Sequence, residues 1–81
     1  MGLEYKLRFN VPENYDPTQL FKKLPSPIHR PSMTEIYNYK IERDGFYFVD
    51  HLVDEAISAK AFKLFVNEAL SLSEQVELFE P

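Results

Sequence analysis

The chain contains no cysteine among its 81 residues, and it has only two glycines. The missing cysteines exclude a disulfide framework, a thiolate metal site and a cysteine nucleophile, and they favour a reducing compartment such as the cytoplasm. A glycine-rich loop that cradles phosphate is nearly impossible with two glycines. Neither a P-loop nor a dinucleotide-binding motif is present.

Long apolar runs and catalytic signatures are also missing. No stretch approaches the roughly 18 apolar residues of a membrane span, so we expect no membrane association. The N-terminus passes directly into an alternating pattern, without the regions of a secretory signal. The nucleophile elbow G-x-S-x-G and the zinc motif H-E-x-x-H are absent. We therefore expect a cytoplasmic protein that is not an enzyme and that needs no cofactor and no metal.

The composition is that of a small globular protein. Hydrophobic residues make up 44% of the chain and aromatic residues 15%, which is enough apolar surface to form a core. We predict a single domain over residues 1–81. Because a chain of this size buries only about 60% of its unfolded surface, self-association would add to its stability, and a homodimer is one hypothesis.

Charge is distributed unevenly along the chain. The net charge is -4, but residues 1–40 carry a balance of +2 and residues 41–81 a balance of -6. An acidic C-terminal half argues against a general nucleic-acid binder, whose affinity needs clustered Lys and Arg. It favours a basic protein partner.

Alternating and helical patterns give the order of elements. Residues 3–11 alternate apolar and polar side chains, which predicts a strand with one buried face. Asp16 and Pro17 predict the start of a short helix, with Asp16 as N-cap, that ends before Pro25. Residues 25–32 form a stiff proline-rich connection. Residues 34–53 then form an aromatic hairpin around Asp44 and Gly45.

A second helix is predicted from Asp54, which can cap it, to Leu72. Residues 75–80 fit either a fourth, edge strand or a helical tail. With the strand, the order is βαββαβ, and this pattern resembles the ferredoxin-like fold but no particular family. We therefore predict an α+β domain with a four-stranded antiparallel sheet, the first and third strands at its centre and both helices on one face.

A two-residue type I′ turn at Asp44-Gly45 would pair Arg43 with Phe46 and Ile41 with Phe48. The face toward the helices would then collect these apolar or aromatic side chains, together with Asp50: Tyr37, Tyr39, Ile41, Phe46, Phe48 and Leu52. The opposite face would collect Ile36, Asn38, Lys40, Glu42, Tyr47, Val49 and His51.

The polar side of the first strand joins that second face, and the two together form the candidate interaction surface: Lys6, Arg8, Asn38, Lys40, Tyr47, Val49 and His51. Three functions are compatible with it. The preferred one is protein association, with a homodimer included. The first alternative is an acidic inhibitor or immunity-type partner of a basic protein. The second is binding of single-stranded nucleic acid, in which Lys6 and Arg8 contact phosphate and a base stacks on Tyr47.

Two histidines offer secondary candidates. His51 has carboxylates near it in sequence, but strand alternation separates it from Asp50, and Asp54 is better explained as a helix cap, so a metal site is disfavoured. His29 and Arg30 lie in the proline-rich loop, where a stiff backbone can present them to a partner. Two solvated loop residues are the simpler interpretation.

Overall fold

The computed structural model describes residues 2–81, so Met1, the first residue of the predicted domain, lies outside the described residues. This part of the chain contains six strands and two helices. The strands are β1 (Leu3–Arg8), β2 (Ile28–His29), β3 (Thr34–Glu35), β4 (Tyr37–Glu42), β5 (Gly45–Asp50) and β6 (Glu77–Phe79), and the helices are α1 (Thr18–Lys23) and α2 (Glu55–Leu72).

The main sheet has four antiparallel strands in the order β4-β5-β1-β6. The predicted α+β class, with such a sheet and two helices, is confirmed. The C-terminal segment is a strand, since β6 pairs with β1. However, β2 and β3 form a second, two-stranded sheet where the sequence predicted only a stiff connection, so the element order differs from a simple βαββαβ.

Both helices pack on the same face of the main sheet. Phe65 of α2 is fully buried, and its ring centroid lies 5.1 Å from that of Tyr39 and 5.6 Å from that of Phe46. Phe21 of α1 lies 5.6 Å from the same Tyr39 ring. Burying a ring of this size contributes about 2 kcal/mol relative to leaving it in water. The core therefore lies between the helices and the sheet, and it includes Leu7 and Phe48.

The helix starts follow the predicted residues with one difference. Asp54 is the N-cap of α2, and its carboxylate accepts a 3.1 Å hydrogen bond from the Ile57 backbone N–H, as predicted. The N-cap of α1 is Pro17 rather than Asp16. Asp16 still accepts a 2.9 Å bond from the Thr18 backbone N–H, so its carboxylate satisfies a donor of the first turn from one residue further out.

The hairpin register differs from the predicted one by two residues. Ile41 pairs with Phe46 and Glu42 with Gly45, so the turn residues are Arg43 and Asp44. Neither turn residue has a positive φ, so the predicted type I′ turn at Asp44-Gly45 is wrong. A shift of two residues leaves every side chain on its predicted face, because side chains alternate with a period of two.

Gly45 has a different role from the one that its sequence context indicated. It is the first residue of β5, with φ 144°, and a Cβ placed on it would lie 1.8 Å from the carbonyl oxygen of Leu7. Only glycine allows the backbones of β1 and β5 to approach this closely. The glycine therefore fixes the contact between two strands rather than the turn.

Near the hairpin ends, two residues leave their predicted faces and a third, Asp50, is satisfied by a hydrogen bond at the end of the sheet. Ile36, predicted on the face away from the helices, precedes β4 and is 1% exposed. Leu52, predicted in the core, follows β5 with φ 61° and is 60% exposed. Asp50 lies at the sheet end, where its carboxylate accepts a 2.8 Å hydrogen bond from the Leu52 backbone N–H. The alternation ends with the strand, so residues beyond its ends do not follow it.

Within residues 2–81, neither helix combines the length and the apolar character needed to cross a membrane.

Candidate functional site

The face of the main sheet away from the helices, called the open face below, brings most of the predicted surface together. Lys6 pairs with Tyr47, and Tyr47 pairs in turn with Lys40. Because paired residues point to the same side, the register collects six of the seven predicted residues there: Lys6, Arg8, Asn38, Lys40, Tyr47 and Val49. β6 adds Glu77 and Phe79, which pair with Arg8 and Lys6.

Lys6 is the least accessible member of the open face. It is 8% exposed, since it lies on a central strand between its neighbours Tyr47 and Phe79. Its ammonium group lies 2.5 Å from Glu42 Oε1 and 2.7 Å from Asp44 Oδ1. A cation paired with two carboxylates is already neutralised, so Lys6 is not presented to an external anion.

Burial disfavours the charged form of Lys6, but the hydrogen bonds to Asp44 and Glu42 outweigh burial and raise its pKa above the ordinary value. The same bond from Lys6 lowers the pKa of Asp44. Both groups are therefore held in their charged forms at neutral pH. The ammonium group attaches the hairpin end to β1.

Arg8 is also engaged within the chain. Its Nη2 donates a 2.6 Å hydrogen bond to Glu77 Oε2, and its guanidinium carbon lies 5.3 Å from the centroid of the Phe79 ring. Both partners belong to β6. Because the pair is more than half exposed, it contributes little stability, roughly 0–1 kcal/mol. Its effect is to direct the guanidinium over the edge strand.

Tyr47 and Val49 are the half-buried centre of the open face. The Tyr47 hydroxyl donates a hydrogen bond to Glu4, and this bond raises the pKa of Tyr47. Val49 pairs with Glu4 across the strands. An aromatic ring and a branched aliphatic side chain side by side form a small apolar area inside a charged rim.

Asn38 and Lys40 lie on β4, one edge of the sheet, and both are exposed. The Asn38 amide oxygen accepts a 2.8 Å hydrogen bond from the backbone N–H of Tyr39. That N–H points away from β5, because residues flanking a two-residue turn form a hydrogen-bonded pair and such pairs alternate along the strand. Asn38 thus occupies a donor that would otherwise be open at the edge.

His51 is not part of the sheet face, because β5 ends at Asp50. Its backbone N–H donates a 3.0 Å bond to Ile36 O. Its buried Nε2 lies 2.9 Å from Glu35 Oε1 but makes no hydrogen bond there, while the Asn38 amide donates to the same Glu35 oxygen. His51 therefore connects the sheet end to β3 and stands apart from the candidate surface.

His29 lies in the second, two-stranded sheet, and Arg30 lies in the turn of that sheet. His29 belongs to β2 and pairs with Thr34, and its Nδ1 lies 2.9 Å from Ser32 Oγ. Arg30 follows it in the exposed turn. The sequence predicted a stiff loop here, whereas the structure has the paired strands β2 and β3.

The carboxylates that neutralise the open face were not among the predicted site residues. Alternation placed Glu42 on this face already, and Glu4 shares the parity of Lys6, so both can be found from the sequence pattern alone. Asp44 and Glu77 reach Lys6 and Arg8 through pairing between distant parts of the chain. No local pattern in the sequence predicts those contacts.

No cluster of three or more histidine, aspartate or glutamate side chains suited to a metal ion occurs within residues 2–81. A shallow cleft of about 610 Å³ lies between the loop after β1 and the hairpin end, lined by Val11, Pro12, Glu13, Tyr15, Ile41, Glu42 and Arg43. Its charged groups are of both signs, and its tyrosine hydroxyl is engaged by Glu68.

Comparison with known proteins gives no relative: no protein-family model matches the chain, no curated protein resembles it significantly in sequence, and no solved structure matches its fold.

Proposed function

We propose that the protein is a non-enzymatic association domain that binds a second copy of itself through the open face of its main sheet. The observation that carries this proposal is the placement of both helices on the other face, which leaves Tyr47, Val49 and Phe79 on the open one. Aromatic anchors inside a polar rim are typical of protein interfaces.

The charges on the open face suit a second copy. Cations and carboxylates alternate across it, as in the pairs of Lys6 with Glu42 and of Arg8 with Glu77. Two such faces meet without a net repulsion between like charges, and the exposed ammonium group of Lys40 is available to carboxylates of the other copy. A small domain also gains stability from the surface that it buries in a dimer.

Binding of single-stranded nucleic acid through Lys6, Arg8 and Tyr47 has less support. Phosphate contact needs free cations, whereas Lys6 is buried beside two carboxylates and Arg8 is paired with Glu77. The hydrogen bond between Tyr47 and Glu4 also places a carboxylate next to the ring on which a base would stack.

A second candidate function is association with a basic protein, as an acidic inhibitor or immunity-type partner. The observation in its favour is that Glu74 and Glu80, at the two ends of the segment that contains β6, are exposed and form no ion pair within residues 2–81. Unpaired surface carboxylates attract a basic partner at long range and accelerate the encounter.

Two further parts of the proposal concern fold and chemistry. The central positions of β1 and β5 support a ferredoxin-like arrangement with β2 and β3 as an addition between α1 and β4.

A non-enzymatic role is supported by the pKa shifts, since those of Lys6, Tyr15 and Asp44 each follow from burial or a hydrogen-bonded partner. We also propose a cytoplasmic location, on the basis of the missing cysteines.

Sedimentation across a wide concentration range tests the association. We expect a dimer whose dissociation constant rises at least about tenfold in Val49→Lys, because a charge then replaces the apolar centre. Lys63→Ala on the outer side of α2 is the matched control and should leave the dimer unchanged. A wild-type chain that stays monomeric at all concentrations would refute the proposal.

Fluorescence anisotropy with a labelled single-stranded oligonucleotide at low salt tests the nucleic-acid alternative. Absence of binding in this measurement excludes that alternative.

A further inference from the structure

The outer edge of β6 presents unpaired backbone groups. β6 is the last strand of the sheet and pairs on one side only, with β1. Its Glu77 and Phe79 direct their backbone groups toward β1, because hydrogen-bonded pairs alternate along antiparallel strands and Leu7 bonds with β5. The N–H and C=O of Leu78 therefore point away from the sheet. A further strand can bond to them.

Apolar side chains lie along this edge. Leu78 pairs with the buried Leu7 and shares its side of the sheet, but it is 54% exposed because α2 does not cover the edge strand completely. Leu70 on α2 is 52% exposed. A groove of about 530 Å³ lies beside the start of β6, and Leu70 lines it together with Arg8, Glu74, Gln75, Val76 and Glu77. An apolar side chain placed beside Leu78 would remove that leucine from water, and one placed in the groove would cover Leu70.

Acidic groups stand at both ends of this apolar stretch. Glu74 precedes β6 and Glu80 follows it, and both are exposed without an ion pair in the described part of the chain. Glu77 between them is shared with Arg8. The charge pattern of the edge is thus negative, apolar, negative. Its complement is positive, apolar, positive.

We infer that the β6 edge binds an extended segment of a basic protein, with apolar residues at the centre of the segment and Lys or Arg on both sides, as an added strand. The inference rests on the second candidate function above, and it names the surface and the binding mode. Backbone bonds to Leu78 supply the pairing, Leu78 and the groove at Leu70 receive apolar side chains of the segment, and Glu74 and Glu80 meet the flanking cations.

A second copy of this chain fits the β6 edge poorly. Antiparallel pairing of two β6 strands about Leu78 places Glu80 of one copy opposite Val76 of the other and diagonally across from Glu74, at both ends of the pair. Diagonal neighbours lie about 7–8 Å apart, so these carboxylates repel one another. The charge pattern therefore separates the two surfaces: the open face suits a second copy, and the β6 edge suits a basic segment.

The test uses fluorescence anisotropy of a short labelled peptide with a central Val-Leu-Val flanked by lysines. We expect binding by the full chain that weakens with added salt, and no binding of the same peptide with glutamates in place of lysines. Leu78→Pro removes the outward N–H without breaking a bond to β1 and should weaken binding at least about tenfold. Leu78→Ala keeps the N–H and should weaken it less.

Charge reversal tests the flanking carboxylates separately from the backbone pairing, because Glu74→Lys and Glu80→Lys leave the strand intact. Together they should weaken binding at least about tenfold and remove most of its salt dependence. Absence of peptide binding, or equal binding by Leu78→Pro and the wild-type chain, overturns the inference. If the wild-type chain dimerises and Leu78→Pro does not, the β6 edge binds a second copy of this chain, and the inference of a basic segment is overturned. Val49→Lys separates the two proposals, since it should weaken dimerisation and leave peptide binding unchanged.

Discussion

The hydroxyl of Tyr15 donates a 2.6 Å hydrogen bond to Oε2 of Glu68. This bond joins the segment before α1 to the C-terminal half of α2. The two residues are 53 positions apart in the chain. The ring of Tyr15 also contacts that of Phe46, with 6.0 Å between centroids. The bond therefore connects the N-terminal side of α1 to the C-terminal half of α2 beside the core.

Replacing Tyr15 with phenylalanine keeps the ring and removes only this bond. We expect Tyr15→Phe to lower the free energy of unfolding by about 1–2 kcal/mol, since the bond is partly buried and its acceptor is a carboxylate. Urea denaturation at neutral pH measures the change. In a Glu68→Ala background, the same substitution should cost much less. An equal cost in both backgrounds would show that Glu68 is not the partner.

Gly45→Ala should be the most damaging small substitution in the hairpin. The new Cβ would lie 1.8 Å from the Leu7 carbonyl oxygen, so β1 and β5 must separate, and the backbone at φ 144° is itself unfavourable for alanine. We expect a loss of more than about 3 kcal/mol or failure to fold. Arg43→Ala in the exposed turn is the control and should change stability by less than about 0.5 kcal/mol. Similar stabilities for the two variants would contradict the close approach.

The pairing of Lys6 with Asp44 makes stability depend on acid. The hydrogen bond from Lys6 lowers the pKa of Asp44, so the stabilisation is present above the ordinary pKa of 3.8 and is lost as pH falls through the lower, folded-state pKa. We expect Asp44→Asn to reduce the loss of stability between about pH 4 and pH 2. Denaturation at several acidic pH values measures the slope of the free energy of unfolding against pH. In a Lys6→Met background, Asp44→Asn should leave the slope unchanged.

Tyr37 makes stability depend on alkali. Burial raises its pKa to about 12, with a smaller contribution from Tyr39, and its hydroxyl donates a 2.5 Å bond to Pro25 O. Because the folded-state pKa exceeds the ordinary 10.0, the stabilisation is complete below pH 10 and is lost as pH rises toward about 12. We expect Tyr37→Phe to be less stable at neutral pH and to lose less stability over this interval. A parallel decline in both proteins would disprove the assignment.

The sequence was sufficient to predict the faces of the hairpin but not its register. Tyr39, Phe46 and Phe48 were assigned to the core side correctly, because alternation with a period of two is a local property. The register was wrong because Asp44-Gly45 has the composition of a turn, whereas Gly45 is required by the Leu7 carbonyl of a strand far away in the chain. At Gly45 the contact with a distant strand determines the backbone conformation, and the local turn motif does not.

The same limit applies to the candidate site. All seven of its residues were predicted to share a face, and the register places six of them together, without His51. Their availability could not be predicted, because it depends on Asp44 and Glu77, which approach Lys6 and Arg8 only after β5 and β6 have paired with β1. Charges that look free in the sequence are thus neutralised by non-local pairing.

Asn38 leads to a prediction about the other edge of the sheet. Its side-chain oxygen occupies the outward N–H of Tyr39 in the middle of β4. In Asn38→Ala this donor is free, and we expect association that increases with time and concentration, followed by light scattering. Lys63→Ala, exposed on α2 and outside both proposed surfaces, is the control and should scatter as the wild-type chain does. Equal scattering by Asn38→Ala and the wild-type chain would argue against protection by Asn38.

The difference between β4 and β6 gives the sheet a direction of growth. Asn38 occupies the outward N–H of Tyr39 at the β4 edge, whereas the outward N–H of Leu78 at the β6 edge is unoccupied within residues 2–81, so we expect an added strand to bind at β6 rather than at β4. A protein that binds by strand addition is exposed to runaway polymerisation if both edges are available. The amide side chain of Asn38 therefore favours a complex that stops after a single strand addition over a growing fibre.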